Sequence, residues 1–122
     1  MTKEELKKRT KLFAVEVFKF LMKFEKTKAV DVVSYQLFKS SSSVAANYRA
    51  VCRGKSNADF LNKLKIVDEE ADESLFWLEF IKDLELKCNE QELEKLIKEA
   101  DELTAIFSSA IKTIKAKNNI II

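Results

Sequence analysis

No proline occurs in the 122 residues of this chain, and Gly54 is its only glycine. Proline interrupts helices and glycine supplies the left-handed backbone of tight turns, so a strand-rich domain of this length would need several of each. A few long helices joined by short connections are what remain. Histidine is missing as well, and with it the side chain best suited to proton transfer near neutral pH.

The length suits a single domain spanning residues 1–122, and 47% hydrophobic residues supply the apolar surface for its core. The net charge of +2 conceals a division. Residues 1–65 carry 15 Lys/Arg against 6 Asp/Glu, a balance of +9, whereas residues 66–122 carry 7 against 14, a balance of −7. Such asymmetry accommodates an anionic partner on one side, and attraction between identical subunits equally well. Cys52 and Cys88 lack CxxC spacing and no signal-peptide pattern precedes them, so reduced thiols in a cytoplasmic protein are expected. No apolar run approaches the roughly 20 residues of a membrane span, and the Ile120-Ile121-Ile122 tail is far too short to be one.

Hydrophobic period and capping residues predict four helices, over about residues 3–25, 29–53, 57–87 and 90–117. Thr2-x-x-Glu5 reads as a capping box for the first, whose inner face holds Leu6, Phe13, Val17, Phe20 and Phe24 before it frays near Lys26-Thr27-Lys28. The second carries Val30, Val33, Leu37, Ser40, Val44, Asn47 and Val51, alternating three and four residues, and ends at Gly54 as a left-handed C-terminal residue. Asn47 on that stripe is expected to fix helix register through a buried hydrogen bond. Ser56-x-x-Asp59 opens a third helix, with Phe60, Leu64, Val67, Ala71, Leu75, Leu78 and Ile81 inward. It runs towards Leu86 and is expected to be the longest, about 45 Å at roughly 1.5 Å per residue. Asn89-x-x-Glu92 opens the fourth, with Leu93, Leu96, Ala100, Leu103, Phe107, Ala110 and Ile114 inward and a stop at Asn118-Asn119. Short connections then predict an all-α, antiparallel up-down four-helix bundle.

Helices one and three are too apolar for a solitary bundle. Leu75, Phe76, Trp77, Leu78, Phe80 and Ile81 cover most of a helix circumference, and Leu12, Val15, Phe18, Leu21 and Met22 lie at or beyond the edge of the first stripe. Each large side chain left in water forgoes about 1.5–3 kcal/mol, so burial against another copy is expected, with Phe18, Leu21, Phe76, Trp77 and Phe80 at the interface. The run Ser40-Ser41-Ser42-Ser43 resembles a linker in composition only. Leu37 and Val44 stay in phase across it, so it reads as mid-helix packing in which serine hydroxyls bond carbonyls one turn back.

Several segments resemble a known family. They are Phe13-Ala14-Val15-Glu16-Val17, Gln36-Leu37-Phe38-Lys39-Ser40, Ser43-Val44-Ala45-Ala46-Asn47-Tyr48-Arg49, Ser56 to Ile66, Glu70 to Glu79, Glu99-Ala100-Asp101-Glu102-Leu103 and Ser109-Ala110-Ile111-Lys112-Thr113. In this order and over nearly the whole chain, they are similar to the bacterial four-helix-bundle proteins related to the 23S rRNA intervening-sequence protein. Through these they resemble the accessory protein of diversity-generating retroelements. The resemblance implies a homopentameric barrel of four-helix bundles, in agreement with the excess apolar surface. Two departures stand out. Glu25-Lys26-Thr27 replaces the family's Leu-Pro at the close of the first helix, and Arg49-Ala50-Val51 replaces its Arg-Glu-Ala, which removes a carboxylate beside Arg49.

Two basic sets are candidates for nucleic-acid binding: Lys7, Lys8, Arg9 and Lys11 on the first helix, and Arg49, Arg53, Lys55, Lys63 and Lys65 around Gly54. Arg49 and Arg53 are four residues apart and could offer two guanidinium forks to successive phosphates. Together with the resemblance this predicts a non-enzymatic homo-oligomer that binds rRNA or a ribosome-associated RNA. The alternative is a protein-interaction scaffold or accessory subunit for a nucleic-acid enzyme such as a reverse transcriptase. No cofactor or metal is expected: Glu69, Glu70 and Glu73 lack the histidine of a Glu-x-x-His site, and Gly54 alone makes no phosphate-cradling loop.

Overall fold

The computed structural model describes residues 1–117, which form four helices: α1 Lys3–Leu21, α2 Lys28–Val51, α3 Asn57–Asp83 and α4 Glu90–Lys117. No strand occurs among the described residues. The expected stop at Asn118-Asn119 and the Ile120-Ile121-Ile122 tail lie outside them.

Local chemistry sets the starts of the helices. Thr2 closes its capping box: the Glu5 N–H donates to Thr2 Oγ1 at 3.1 Å, and the Thr2 N–H donates to Glu5 Oε2 at 3.2 Å. Ser56 Oγ accepts from the Asp59 N–H at 3.1 Å, and Asn89 Oδ1 accepts from the Glu92 N–H at 3.0 Å. Thr27, expected in a fraying end, caps α2 instead, its Oγ1 accepting from the Val30 N–H at 3.1 Å. That cap leaves only residues 22–26 for the connection, so α1 stops at Leu21 rather than at 25. α3 likewise stops at Asp83 rather than 87, because Glu85 adopts a left-handed φ of 55°. α4, with 28 residues against 27 for α3, is the longest helix.

The inward stripes meet in one core, with Phe13, Val17 and Phe20 from α1, Leu37 and Val44 from α2, Leu64 and Leu78 from α3, and Leu103 and Phe107 from α4. Leu61, Ser74 and Ile111 turn fully inward where Phe60, Leu75 and Ile114 were expected, because a 3.6-residue turn drifts from strict three-four alternation. Tyr48, rather than Asn47, takes the buried place on α2. Asn47 Nδ2 donates to the Ser43 carbonyl of its own helix at 2.9 Å, so it fixes no register between helices. Across α2 and α3 the Ser40 and Ser74 hydroxyls lie 3.1 Å apart, both fully buried, and Ser41 and Ser42 Oγ donate to the Phe38 carbonyl. Short side chains there let two backbones approach closely.

α2 packs on α1 and α3, and α4 packs on α3 and more sparsely on α1. α1 therefore sits diagonal to α3. A groove of about 940 Å³ opens along the sparse α1–α4 seam.

Asp68 lies half-buried on the α3–α4 seam, its Oδ1 accepting from Ser108 Oγ at 3.1 Å. Burial raises its pKa above the usual carboxylate value; the Ser108 hydrogen bond opposes the shift, and Asp72 and Glu69 add to it. A carboxyl group raised on folding contributes stability below its unfolded pKa and loses it as pH climbs through the folded one. Asp68→Asn keeps an acceptor for Ser108 and removes the charge. The melting temperature at neutral pH is expected to rise or hold, with the advantage vanishing once acid protonates wild-type Asp68. Melts across that range check this, and a lower melting temperature at neutral pH would count against it.

Candidate nucleic-acid interface and apolar faces

The Gly54 turn is tight for a reason other than the one expected. Gly54 has no positive φ; its N–H donates to the Val51 carbonyl at 3.0 Å, and an added Cβ would lie 3.1 Å from that same oxygen. Close approach, not left-handed backbone, is what a side chain would disturb. Arg49 and Arg53 project exposed from the end of α2, and Lys55 and Lys65 are exposed beyond the turn. None of these four takes part in an ion pair among the described residues.

Lys63 is less free. Its Nζ lies 3.1 Å from Asp59 Oδ2, which also accepts from the Lys55 N–H at 3.4 Å. The Lys63 hydrogen bond, aided by Lys55, holds the Asp59 carboxyl below its ordinary value. On α1, Lys8 and Lys11 are exposed, while Lys7 Nζ pairs with Glu4 at 3.1 Å.

Arg9 requires a correction. Its guanidinium grips Glu99 of α4 through two bonds of 2.7 Å, Nε to Oε2 and NH2 to Oε1, and lies 3.7 Å from Glu102. The Glu99 hydrogen bond raises its pKa further. A fork engaged through Nε and NH2 ties α1 to α4 and leaves Arg9 less available than Arg49 or Arg53.

Lys3 joins the two basic sets. Its Nζ stands 5.1 Å from the Phe60 ring centroid, so this long side chain reaches from the start of α1 to the start of α3 beside the Gly54 turn. Lys112, Lys115 and Lys117 add charge in the last turns of α4. Sequence reasoning passed over them because they lie in the acidic half of the chain.

The apolar candidates divide in the same way. Leu21, expected at an interface, is only 4% exposed and packs in the subunit's own core, so it has almost no area left for a second chain. Phe18 is 37% exposed and rests on Phe38, ring centroids 4.3 Å apart, while Leu12, Val15 and Met22 lie open beside it. On α3, Phe76, Trp77 and Phe80 form a mutual cluster with centroids 4.9–5.8 Å apart. Trp77 is half-buried against the core, whereas Phe76 is 51% exposed. Glu69, Asp72, Glu73, Glu79 and Asp83 surround Phe76 on that outer face, all exposed. Among the described residues, no group of three or more His, Cys, Asp or Glu could hold a metal ion, and no helix is long and apolar enough to cross a membrane.

Four helices around one core, with no strand among the described residues, define an all-α four-helix protein. Residues 2–109 match the family described as 23S rRNA-intervening sequence protein, and the chain belongs to that family. It is also similar to the crystal structure of a protein of unknown function from the S23 ribosomal protein family of Bacteroides thetaiotaomicron. That likeness has 31% sequence identity and a TM-score of 0.81, over 92% of this chain and 99% of the other. No curated protein matches the chain.

Proposed function

We propose that this chain is a non-enzymatic, cytoplasmic, up-down antiparallel bundle that self-associates and binds nucleic acid, foremost ribosomal RNA, through its basic end. The observation that carries this reading is the contact of Lys3 with Phe60, which merges two basic sets far apart in sequence. Arg9 on α1 pairs with Glu99, and Lys23 just past the end of α1 pairs with Glu92, so the partners descend α4 as the chain ascends. Asp68–Ser108 and Lys82–Glu94 do the same along α3 and α4. Both trends support the antiparallel arrangement. That arrangement carries Lys112, Lys115 and Lys117 to the end where Lys3, Arg53 and Lys55 already lie. Self-association is supported by the open apolar side chains on α1 and α3, and the family resemblance implies a pentamer. Each subunit of a closed ring contributes one basic end, so weak phosphate contacts multiply.

A titration with a 23S rRNA fragment over increasing salt tests the proposal. The logarithm of affinity should fall linearly with the logarithm of salt, by about 0.7 for each single-stranded phosphate engaged or about 0.9 for duplex. Unrelated DNA should bind more weakly at physiological salt. Absent binding, or binding indifferent to salt, would refute the assignment.

A further inference from the structure

We infer that the acidic aromatic ridge of α3 docks into the α1–α4 groove of a second copy of this chain, in a head-to-tail contact. This rests on the self-association proposed above and specifies its geometry. The ridge is the outward face of α3, where Phe76 and Phe80 stand among Glu69, Asp72, Glu73, Glu79 and Asp83. None of those five carboxylates takes part in an ion pair among the described residues, and Lys82, beside Asp83 and Glu79, is already taken by Glu94 at 2.7 Å. Exposed aromatic surface beside uncompensated negative charge calls for a surface that is apolar and positive together.

The groove is such a surface. Its walls include Leu12, Met22 and Leu96, with Lys19, Lys95 and Lys98 along them. Glu92 and Glu99, on the same walls, are neutralised by Lys23 and Arg9. Among the lining groups outside any ion pair, three lysines therefore face one carboxylate, Glu16, while Glu102 lies 3.7 Å from Arg9. Two ridges brought face to face would oppose carboxylates to carboxylates, and two grooves would oppose lysines to lysines. Since α3 lies diagonal to α1, a ridge cannot reach its own groove. Joining unlike patches leaves one of each free on every pair, so the contact propagates until rotation closes a ring.

Charge exchange across the contact tests this. One variant carries K95E and K98E, and the other carries E79K and D83K; all four positions are exposed, and circular dichroism checks that helix content is retained. By analytical ultracentrifugation the wild type should exceed the 14.1 kDa of one chain at least twofold, and each variant alone should fall towards that mass. Mixing the two variants should restore the larger species, because both possible junctions regain opposite charges. A single chain carrying all four substitutions should also reassemble. Assembled wild type with either variant still at wild-type mass would overturn the ridge-and-groove contact while sparing self-association. Two monomeric variants that stay apart on mixing would overturn it as well, and a monomeric wild type would overturn both readings.

Discussion

Phe107→Ala is expected to destabilise the protein by about 3–5 kcal/mol, a large share of the roughly 5–15 kcal/mol by which domains are stable. Phe107 is fully buried and is the largest side chain so enclosed. Its ring lies 5.8 Å from that of Tyr48 on α2, so the side chain spans the bundle from α4. Helical backbones hold their spacing through many other contacts and close the resulting cavity only partly. Tyr48 shares that interior: burial, and then the neighbouring Cys52, push its phenol up to about 12. Urea unfolding followed by helical circular dichroism measures the change, with Ile114→Ala at a half-buried site as the milder comparison. A loss below about 1 kcal/mol would show that α4 is not anchored through this ring.

Replacing both Arg49 and Arg53 with glutamine is expected to weaken rRNA binding by about tenfold per arginine, and to flatten the salt dependence by about one unit for each phosphate no longer engaged. Both side chains are exposed and, among the described residues, outside any ion pair, so folding and subunit mass should be unchanged. Arg9→Gln gives the contrasting case. Its guanidinium is held by Glu99, so stability should fall while the salt slope stays as in wild type. If Arg9→Gln flattens the slope as much as the paired substitution does, the basic end has been assigned wrongly.

Much of this architecture could be read along the chain. The capping box at Thr2, the caps at Ser56 and Asn89, and the helical serine run all stand where local pattern put them, because each involves residues within four positions of one another. The helix ends were less legible. Where α1 stops depends on where Thr27 must sit to cap α2, and Glu85 adopts a left-handed backbone for which its residue type gives no signal. The site was legible in its residue types but not in their availability. Arg9 and Arg49 look alike in sequence, and only one has a carboxylate waiting across a helix seam.

Helix formation, the composition of the core stripes and the surplus of apolar side chains follow from the chain alone, since capping and helical periodicity act over a turn or two. Which cations remain free and which apolar groups remain open was decided by folding. Glu99 reaches Arg9 from 90 residues away, Leu21 is enclosed by neighbours from other helices, and Lys3 meets Phe60 only when α1 and α3 share an end. Charge pairing and burial depend on distance in space, and a linear pattern holds no record of that distance until the helices pack.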